Sequence, residues 1–258
     1  MDNSQSLTNG ADSLKIFCAG VSYALVKGLE EKWNALYPDL PAIATPGGSV
    51  DLIRKCIAGE DCDVLISADD TIIRSMLVPQ YANSCTVWAG NKMVVAGEGI
   101  TSENWEEKLL SPNATFKHSN PYGDPGGYRA VMAILLADEY KPGLTDKLMN
   151  HPGHIGMQKD PDPALAQDAQ YSIYYYSGAK SSGANFAELP EVMDLSSPSL
   201  ASIYAKACFA VDENNTVVAT PISHGLAIMN SSVHKEAAEE YVRMFLEIDK
   251  EAAGFLLR

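Results

Sequence analysis

The stretch LKIFCAGVSYALVKGLEEKWNALYPDLPAIATPGGSV, residues 14–50, alternates between two hydrophobic patterns. A short apolar run predicts a strand over 14–20, an amphipathic segment ended by Pro38 predicts a helix over 22–38, and residues 41–49 hold a second strand. Strands separated by helices in this way are typical of a parallel, doubly wound α/β sheet. In such sheets, ligands bind beyond the carboxyl ends of the strands.

Two long extended segments farther along the chain predict that a second lobe is inserted into the first. They run over residues 86–97 and 202–214, and we expect the chain to cross between the lobes near 88–92 and 203–208. The predicted fold class is therefore α/β, with two doubly wound lobes joined by two hinge strands and a ligand held between them. The predicted parts are a flexible leader, lobe I in two pieces and lobe II, over residues 1–13, 14–90 with 206–258, and 91–205.

The composition describes an acidic globular protein. The 258 residues carry a formal net charge of −14, from 33 acidic and 19 basic residues. Nucleic acid is excluded as a partner, because phosphate backbones require clustered Lys and Arg. No apolar run reaches the roughly 18–20 residues that cross a bilayer. The polar start MDNSQSLTNGADS is either a native terminus or the tether left after removal of a signal segment.

Five strand-to-helix turns carry the small polar residues and glycines that suit an anion site. They are AGVS (19–22), PGGS (46–49), SAD (67–69), GDPGG (123–127) and YYSGA (175–179). The first amides of a helix have no intrahelical partner and attract anions, while glycine lets a ligand approach the backbone. Ser22 and Ser49 occupy positions for a capping or a ligand-facing hydroxyl. Each turn alone predicts a capped helix, and only their convergence predicts a binding site for an oxyanion.

Asp124 is the residue whose role the sequence leaves open. It precedes Pro125 at the start of a predicted helix, which suits a cap. A carboxylate beside a dianion is repelled by about 4 kcal/mol per charge pair at 4 Å with an effective dielectric near 20. Asp124 therefore points away as a cap, ligates the metal centre of an oxyanion, or accepts a hydrogen bond from a protonated oxyanion. We rank these alternatives in that order.

Cys56 and Cys62 form the candidate disulfide among five cysteines. A glycine-containing turn separates a helix end from a buried strand, so the two residues are predicted to bridge in an oxidising compartment. The alternative is two unrelated thiols.

A catalytic interpretation rests on the motif SGAK, in which Ser177 and Lys180 match the S-x-x-K pattern of acylating serines. Neither SDN nor KTG follows it, and no P-loop, GxGxxG or HExxH occurs. A hydrolase would be labelled covalently at Ser177, whereas a binding protein would not. We expect no catalysis and no cofactor.

Several motifs recur in an order and spacing that resemble a known family, the tungstate/molybdate-binding components of ABC uptake systems in their archaeal-type branch. The motifs are LKIFCAG, GGSV, CDVLISAD, NKMVVA, SNPYGDPGGYR, YYYSGA, ELP, LSSPS and PISHGLAI. The resemblance covers residues 14–250, and the SNPYGDPGGYR segment is its most specific part. It implies a type II periplasmic-binding fold, an extracytoplasmic location that is periplasmic or membrane-tethered, and delivery of a captured oxyanion to a membrane permease. We expect a monomer.

The resemblance also implies which residues hold the ligand, molybdate or tungstate. They are Val21, Ser22, Ser49, Asp124, Gly126, Gly127, Tyr174 and Tyr175, with Asp124 a possible ligand of the metal. This chain departs from the family twice, because Val21 stands where the family has Ser and Tyr174 where the six-coordinate branch has Glu. These departures leave open a relative adapted to sulfate, a phosphate-like anion or a small organic acid.

Overall fold

A computed structural model describes residues 12–157 and 169–257. Residues 1–11 of the predicted leader and residues 158–168 of a predicted loop lie outside the described residues. The strands, in chain order, are β1 (Leu14–Ala19), β2 (Ala42–Gly47), β3 (Val64–Ser67), β4 (Thr86–Gly90), β5 (Met93–Gly97), β6 (Phe116–Lys117), β7 (His154–Ile155), β8 (Tyr171–Tyr175), β9 (Phe186–Glu188), β10 (Cys208–Ala210), β11 (Thr216–Val218) and β12 (Ser223–Ile228).

The α-helices fall between the strands, as the alternating pattern predicts. In chain order they are α1 (Tyr23–Leu36), α2 (Ser49–Ile57), α3 (Asp70–Met76), α4 (Trp105–Leu109), α5 (Pro125–Leu135), α6 (Ala137–Tyr140), α7 (Leu144–Met149), α8 (Tyr176–Ser182), α9 (Glu191–Asp194), α10 (Ala201–Tyr204) and α11 (Lys235–Leu246). Short 3₁₀ turns cover Gly20–Ser22 and Pro198–Leu200. No helix within the described residues is long and apolar enough to cross a membrane.

The first five-stranded sheet has the order β2-β1-β3-β12-β4 and carries helices on both faces. Successive side chains of β1 point to opposite faces, so Ile16 packs with Trp33 of α1 and Tyr241 of α11, while Phe17 packs with Ile53 of α2. The β1, β2 and β3 strands are parallel, as predicted. The β12 strand is antiparallel to both of its neighbours, so the sheet is mixed rather than wholly parallel.

The second five-stranded sheet has the order β7-β6-β8-β5-β9 and belongs to the inserted lobe. The chain enters it between β4 and β5, at the predicted first crossing. Asn91 is buried there, and its Nδ2 lies 2.7 Å from Ser177 Oγ and 3.1 Å from His224 Nε2. The lobe boundaries given above stay a prediction.

The second crossing differs from the predicted hinge strand near residues 203–208. Residues up to Tyr204 are helical there, because the buried Tyr204 ring packs in the core and its hydroxyl donates to Glu191 O at 2.7 Å. Tertiary packing thus overrides the strand propensity of this run. The chain then forms a two-stranded ribbon, β10–β11, before it enters β12.

The structure also differs from the predicted disulfide, because Cys56 and Cys62 are free thiols. A hydrogen bond from the Cys62 thiol lowers the pKa of Cys56, and burial raises the pKa of Cys62 well above its ordinary value. The Cys62 thiol donates to Val64 O at 3.4 Å, and the two sulfurs are not bonded to each other. Both cysteines are buried core residues.

Candidate functional site

A cavity of about 330 Å³ lies between the two lobes, at the carboxyl ends of the parallel strands of the first sheet. Lobe I lines it with the turns after β1, β2 and β3, and lobe II lines it with the turns before α5 and α8. The lining residues are Ala19, Gly20, Val21, Gly47, Gly48, Ala68, Ser119, Asp124, Gly126, Tyr174, Tyr175 and Gly178. Sequence reasoning predicted that these five turns converge, and the structure brings them together. Small ligand sites begin near this volume.

Ser49 and Tyr175 organise the wall formed by Ala68. The buried Ser49 Oγ accepts a hydrogen bond from Ala68 N at 3.0 Å, and Tyr175 OH donates to Ala68 O at 3.3 Å. The first bond lies within lobe I and the second joins the two lobes. Burial raises the pKa of Tyr175 well above its ordinary value, so its hydroxyl stays a donor. Ser49 thus acts from behind the cavity lining, while Tyr175 forms part of it.

Asp124 is the N-cap of α5, the first of the three roles weighed above. Its Oδ1 accepts a hydrogen bond from Gly126 N at 3.0 Å, and Ser119 hydrogen-bonds the same carboxyl group. Burial raises the pKa of Asp124, because the charged form loses its hydration there. The carboxyl group is therefore both a helix cap and a member of the cavity wall.

Three of the predicted ligand-binding residues have polar groups that are bonded within the protein. The Ser22 hydroxyl is buried and donates to Ala19 O at 2.9 Å, so it is a local cap outside the cavity lining. The Gly126 amide is taken by Asp124 Oδ1, although Gly126 itself lines the cavity. The Gly127 amide donates to Asp124 O at 3.0 Å, and Gly127 packs so closely that a Cβ there would lie 2.3 Å from Ser119 O. Gly127 is needed for this close packing.

The N-terminus of α2 was expected to face the anion and instead meets the other lobe. Val50 N and Asp51 N donate to Gly123 O at 3.0 and 3.2 Å. A Cβ built on Gly48 would lie 2.4 Å from the same oxygen. Arg54 Nη1 adds a hydrogen bond to Tyr122 O at 2.8 Å. The lobes are therefore in direct backbone contact beside the cavity.

Two parts of the site were missed from the sequence. Ser119 lines the cavity and hydrogen-bonds Asp124. Its position in the SNPYGD segment, five residues before Asp124, was the sequence signal that could have identified it. Asp69 and Arg129 form a fully buried ion pair between the lobes. Asp69 ends the SAD turn and Arg129 ends the SNPYGDPGGYR segment, but a single sequence carries no signal that pairs the two.

The S-x-x-K residues do not form a catalytic pair. Ser177 is buried and its hydroxyl accepts from Asn91 Nδ2. Lys180 Nζ lies over the Tyr176 ring, 5.6 Å from its centroid. Within the described residues there is also no group of three or more His, Cys, Asp or Glu side chains that could hold a metal ion.

Two α/β lobes with a cavity between them define the type II periplasmic-binding fold. The chain belongs to the bacterial extracellular solute-binding protein family, whose sequence model matches residues 14–250. Proteins of this family bind solutes and are not enzymes. The resemblance derived from the motifs is confirmed by the relatives described next.

Two proteins are similar to this chain in sequence, and one solved structure is similar to it in fold. A solute-binding protein of Petrotoga mobilis is 30% identical over 250 residues, covering 90% of this chain and 78% of the relative. The molybdate/tungstate-binding protein WtpA of Thermococcus kodakarensis is 27% identical over 275 residues, covering 91% and 78%. The periplasmic molybdate-binding protein of Azotobacter vinelandii superposes with a TM-score of 0.67 at 17% identity, covering 95% and 99%, which establishes the shared fold.

Proposed function

We propose that this protein captures molybdate or tungstate between its two lobes and delivers the anion to the membrane permease of an ABC importer. The proposed parts are lobe I, over residues 14–90 and 206–258, and lobe II, over residues 91–205. Capture takes place outside the cytoplasm, by a monomer. The observation that carries the proposal is the shared cavity, whose walls come from turns of both lobes.

The chemistry of the lining supports an oxyanion rather than a cation or an apolar ligand. The Ser119 hydroxyl and the Gly126 amide are engaged with Asp124, so the proposed neutral donors are the Tyr174 hydroxyl and the backbone amides of Gly20, Val21 and Gly48 at the cavity wall. Neutral donors replace the hydration shell of an anion without a basic residue, and an interior of low dielectric strengthens each bond. Relatives named for molybdate and tungstate direct the choice among oxyanions.

Calorimetry with molybdate, tungstate, sulfate and phosphate tests this proposal. We expect sub-micromolar binding of molybdate or tungstate, and binding of sulfate and phosphate that is at least about tenfold weaker, or ~1.4 kcal/mol. Binding of none of the four in that range would contradict the oxyanion proposal. Preferential binding of sulfate or phosphate would keep the site and change its ligand.

Asp124→Asn should make molybdate binding tighter at pH 8, by about tenfold or more. The substitution removes a charge that repels the dianion and keeps the helix cap, because Asn caps helices as well as Asp does. The raised pKa of Asp124 makes the wild-type affinity pH-dependent. The bound dianion raises that pKa further, so binding takes up a proton and the affinity of the wild type rises as the pH falls.

The difference between wild type and Asp124→Asn should therefore shrink from pH 8 towards pH 5. Titrations in two buffers of different ionisation enthalpy measure the proton uptake, which the variant should lack. Asp61→Asn is the control, because its exposed carboxylate pairs with Lys15 on the surface. A tenfold loss of affinity in Asp124→Asn would instead make the carboxylate a ligand of the metal.

A further inference from the structure

A buried ion pair joins the two lobes behind the cavity. Asp69 follows β3 in lobe I, Arg129 lies in α5 of lobe II, and neither side chain is exposed to solvent. Arg129 Nε and Nη2 donate to Asp69 Oδ2 at 2.9 and 2.6 Å. The buried Tyr128 hydroxyl donates to the same oxygen at 2.7 Å. Three donors from one helix of lobe II thus converge on one carboxylate of lobe I.

The remaining polar atoms of the pair are also bonded. Asp69 Oδ1 accepts from Thr71 N at 2.8 Å and caps α3. Arg129 Nη1 donates to Thr220 O at 3.0 Å, and Thr220 lies in the segment between β11 and β12 through which the chain returns to lobe I. Arg129 therefore holds a turn of lobe I and the return segment at the same time.

The pair adjoins both walls of the cavity. Asp69 is the next residue after Ala68, whose carbonyl accepts the inter-lobe hydrogen bond from Tyr175. Arg129 lies in the same helix that Asp124 caps, just over one turn farther along. A shift of either charged group would move a wall of the cavity, so the pair fixes the distance between the walls.

Burial gives the pair geometric specificity rather than a large net stabilisation. The loss of hydration of two charges roughly offsets their attraction, whereas removal of one partner leaves the other buried and unpaired. If the lobes separate, the cleft admits water and both groups become hydrated. The ion pair therefore favours one relative position of the lobes, namely the one in which the lobes also touch at Gly48 and Gly123 beside the cavity, and this position is called closed here.

We infer that Asp69 and Arg129 are positioning residues for ligand capture, because their ion pair forms when the lobes close and separates when they open. The inference rests on the proposed function for the identity of the ligand. The ion pair acts through the cavity walls and does not contact the anion.

The test combines calorimetry with small-angle scattering of the full chain, with and without saturating molybdate. The variants are Asp69→Asn, which keeps the cap of α3, Arg129→Met, and the two together. Asp70→Asn is the matched control, because this neighbouring carboxylate pairs with Arg74 within α3 and does not reach lobe II. Thermal melting of the ligand-free proteins reports whether each variant folds.

We expect each single variant to lose about a hundredfold in molybdate affinity, since a buried charge is left unpaired in the closed form. The double variant should lose no more than the worse single variant, because the two residues act as a unit. The wild type and Asp70→Asn should contract on loading, whereas the single variants should keep their ligand-free radius of gyration. The ligand-free wild type should exchange between closed and open forms, and the open form hydrates both groups, so melting of the ligand-free variants should change little.

The inference is overturned if the single variants bind within about threefold of wild type, if they contract on loading as the wild type does, or if the losses add in the double variant. Should Arg129→Met fail to fold, Asp69→Asn and Tyr128→Phe decide by the same two measurements. Tyr128→Phe removes one hydrogen bond to the carboxylate and should lose about tenfold.

Failure of the proposed ligand gives a different result. If the wild type binds none of the four anions, scattering of the ligand-free proteins still tests the ion pair. The single variants should then be more expanded than the wild type and Asp70→Asn. Equal radii of gyration in all ligand-free proteins, together with no anion binding, would overturn both proposals.

Discussion

Gly48→Ala should reduce molybdate affinity by up to about a hundredfold while the ligand-free protein melts as the wild type does. Gly48 has φ −68° and ψ 131°, which alanine adopts without strain. Its new methyl group would nevertheless lie 2.4 Å from Gly123 O and 3.0 Å from Gly123 C, both of which belong to the backbone of lobe II. Overpacking of this kind costs about 1–3 kcal/mol, and only the closed form contains the clash.

Gly123→Ala, on the lobe II side of the same contact, is the control. A Cβ on Gly123 would lie 2.3 Å from Asp51 Oδ2, but the Asp51 side chain is 60% exposed and can rotate away. We expect Gly123→Ala to lose no more than about fivefold in affinity, or ~1 kcal/mol. Calorimetry and melting curves of both variants measure the difference. Equal losses in the two variants, or none in Gly48→Ala, would contradict a closure that depends on this backbone contact.

Ser49→Ala should lower molybdate affinity by about 10–100-fold and the free energy of unfolding by about 1–3 kcal/mol. The Ser49 hydroxyl is the acceptor for Ala68 N, so its removal leaves a buried amide without its partner. The Ala68 carbonyl accepts a hydrogen bond from the Tyr175 hydroxyl. A displaced Ala68 would therefore disturb one wall of the cavity and one link between the lobes. Calorimetry and chemical denaturation measure the two effects.

Ser22→Ala distinguishes this role from a general effect of a lost hydroxyl. The Ser22 hydroxyl is also buried, but it donates to Ala19 O and lies outside the cavity lining. Its removal should cost about 0.5–1.5 kcal/mol of stability. Molybdate affinity should stay within about threefold of wild type, or ~0.6 kcal/mol. If both variants lost affinity equally, Ser49 would have no particular function at the site.

The two-lobe fold could be predicted because its signals are local. The strand and helix of residues 14–36 each follow one hydrophobic period, and the extended run over 86–97 marked the first crossing. The direction of β12 could not be predicted, because the same apolar run suits a parallel or an antiparallel neighbour. The helix that ends at Tyr204 was missed because residues 202–208 have strand propensity. Burial of the Tyr204 ring in the core favours the helix instead.

At the candidate site, the sequence located the turns but not the partner of each polar atom. Asp124, Gly126 and Tyr175 are at the cavity, as their motifs indicated. The amide donors expected near Asp124 are already bonded to that residue, and the N-terminus of α2 meets Gly123 O. Such pairings join residues up to 107 positions apart, as Tyr175 and Ala68 are, and no spacing rule in a single sequence encodes them.

The place of β12 between β3 and β4 has a consequence for biosynthesis. Among the described strands, β4 pairs with β12 alone and has one further bridge from Gly90 to Leu256, and both partners are made more than 130 residues after it. During synthesis, the whole inserted lobe leaves the ribosome before β12, the strand that joins β4 to the first sheet. Lobe II can thus complete its sheet first, while lobe I waits with β3 exposed at an open edge, and a nascent chain halted before Ser223 would present that edge to other strands.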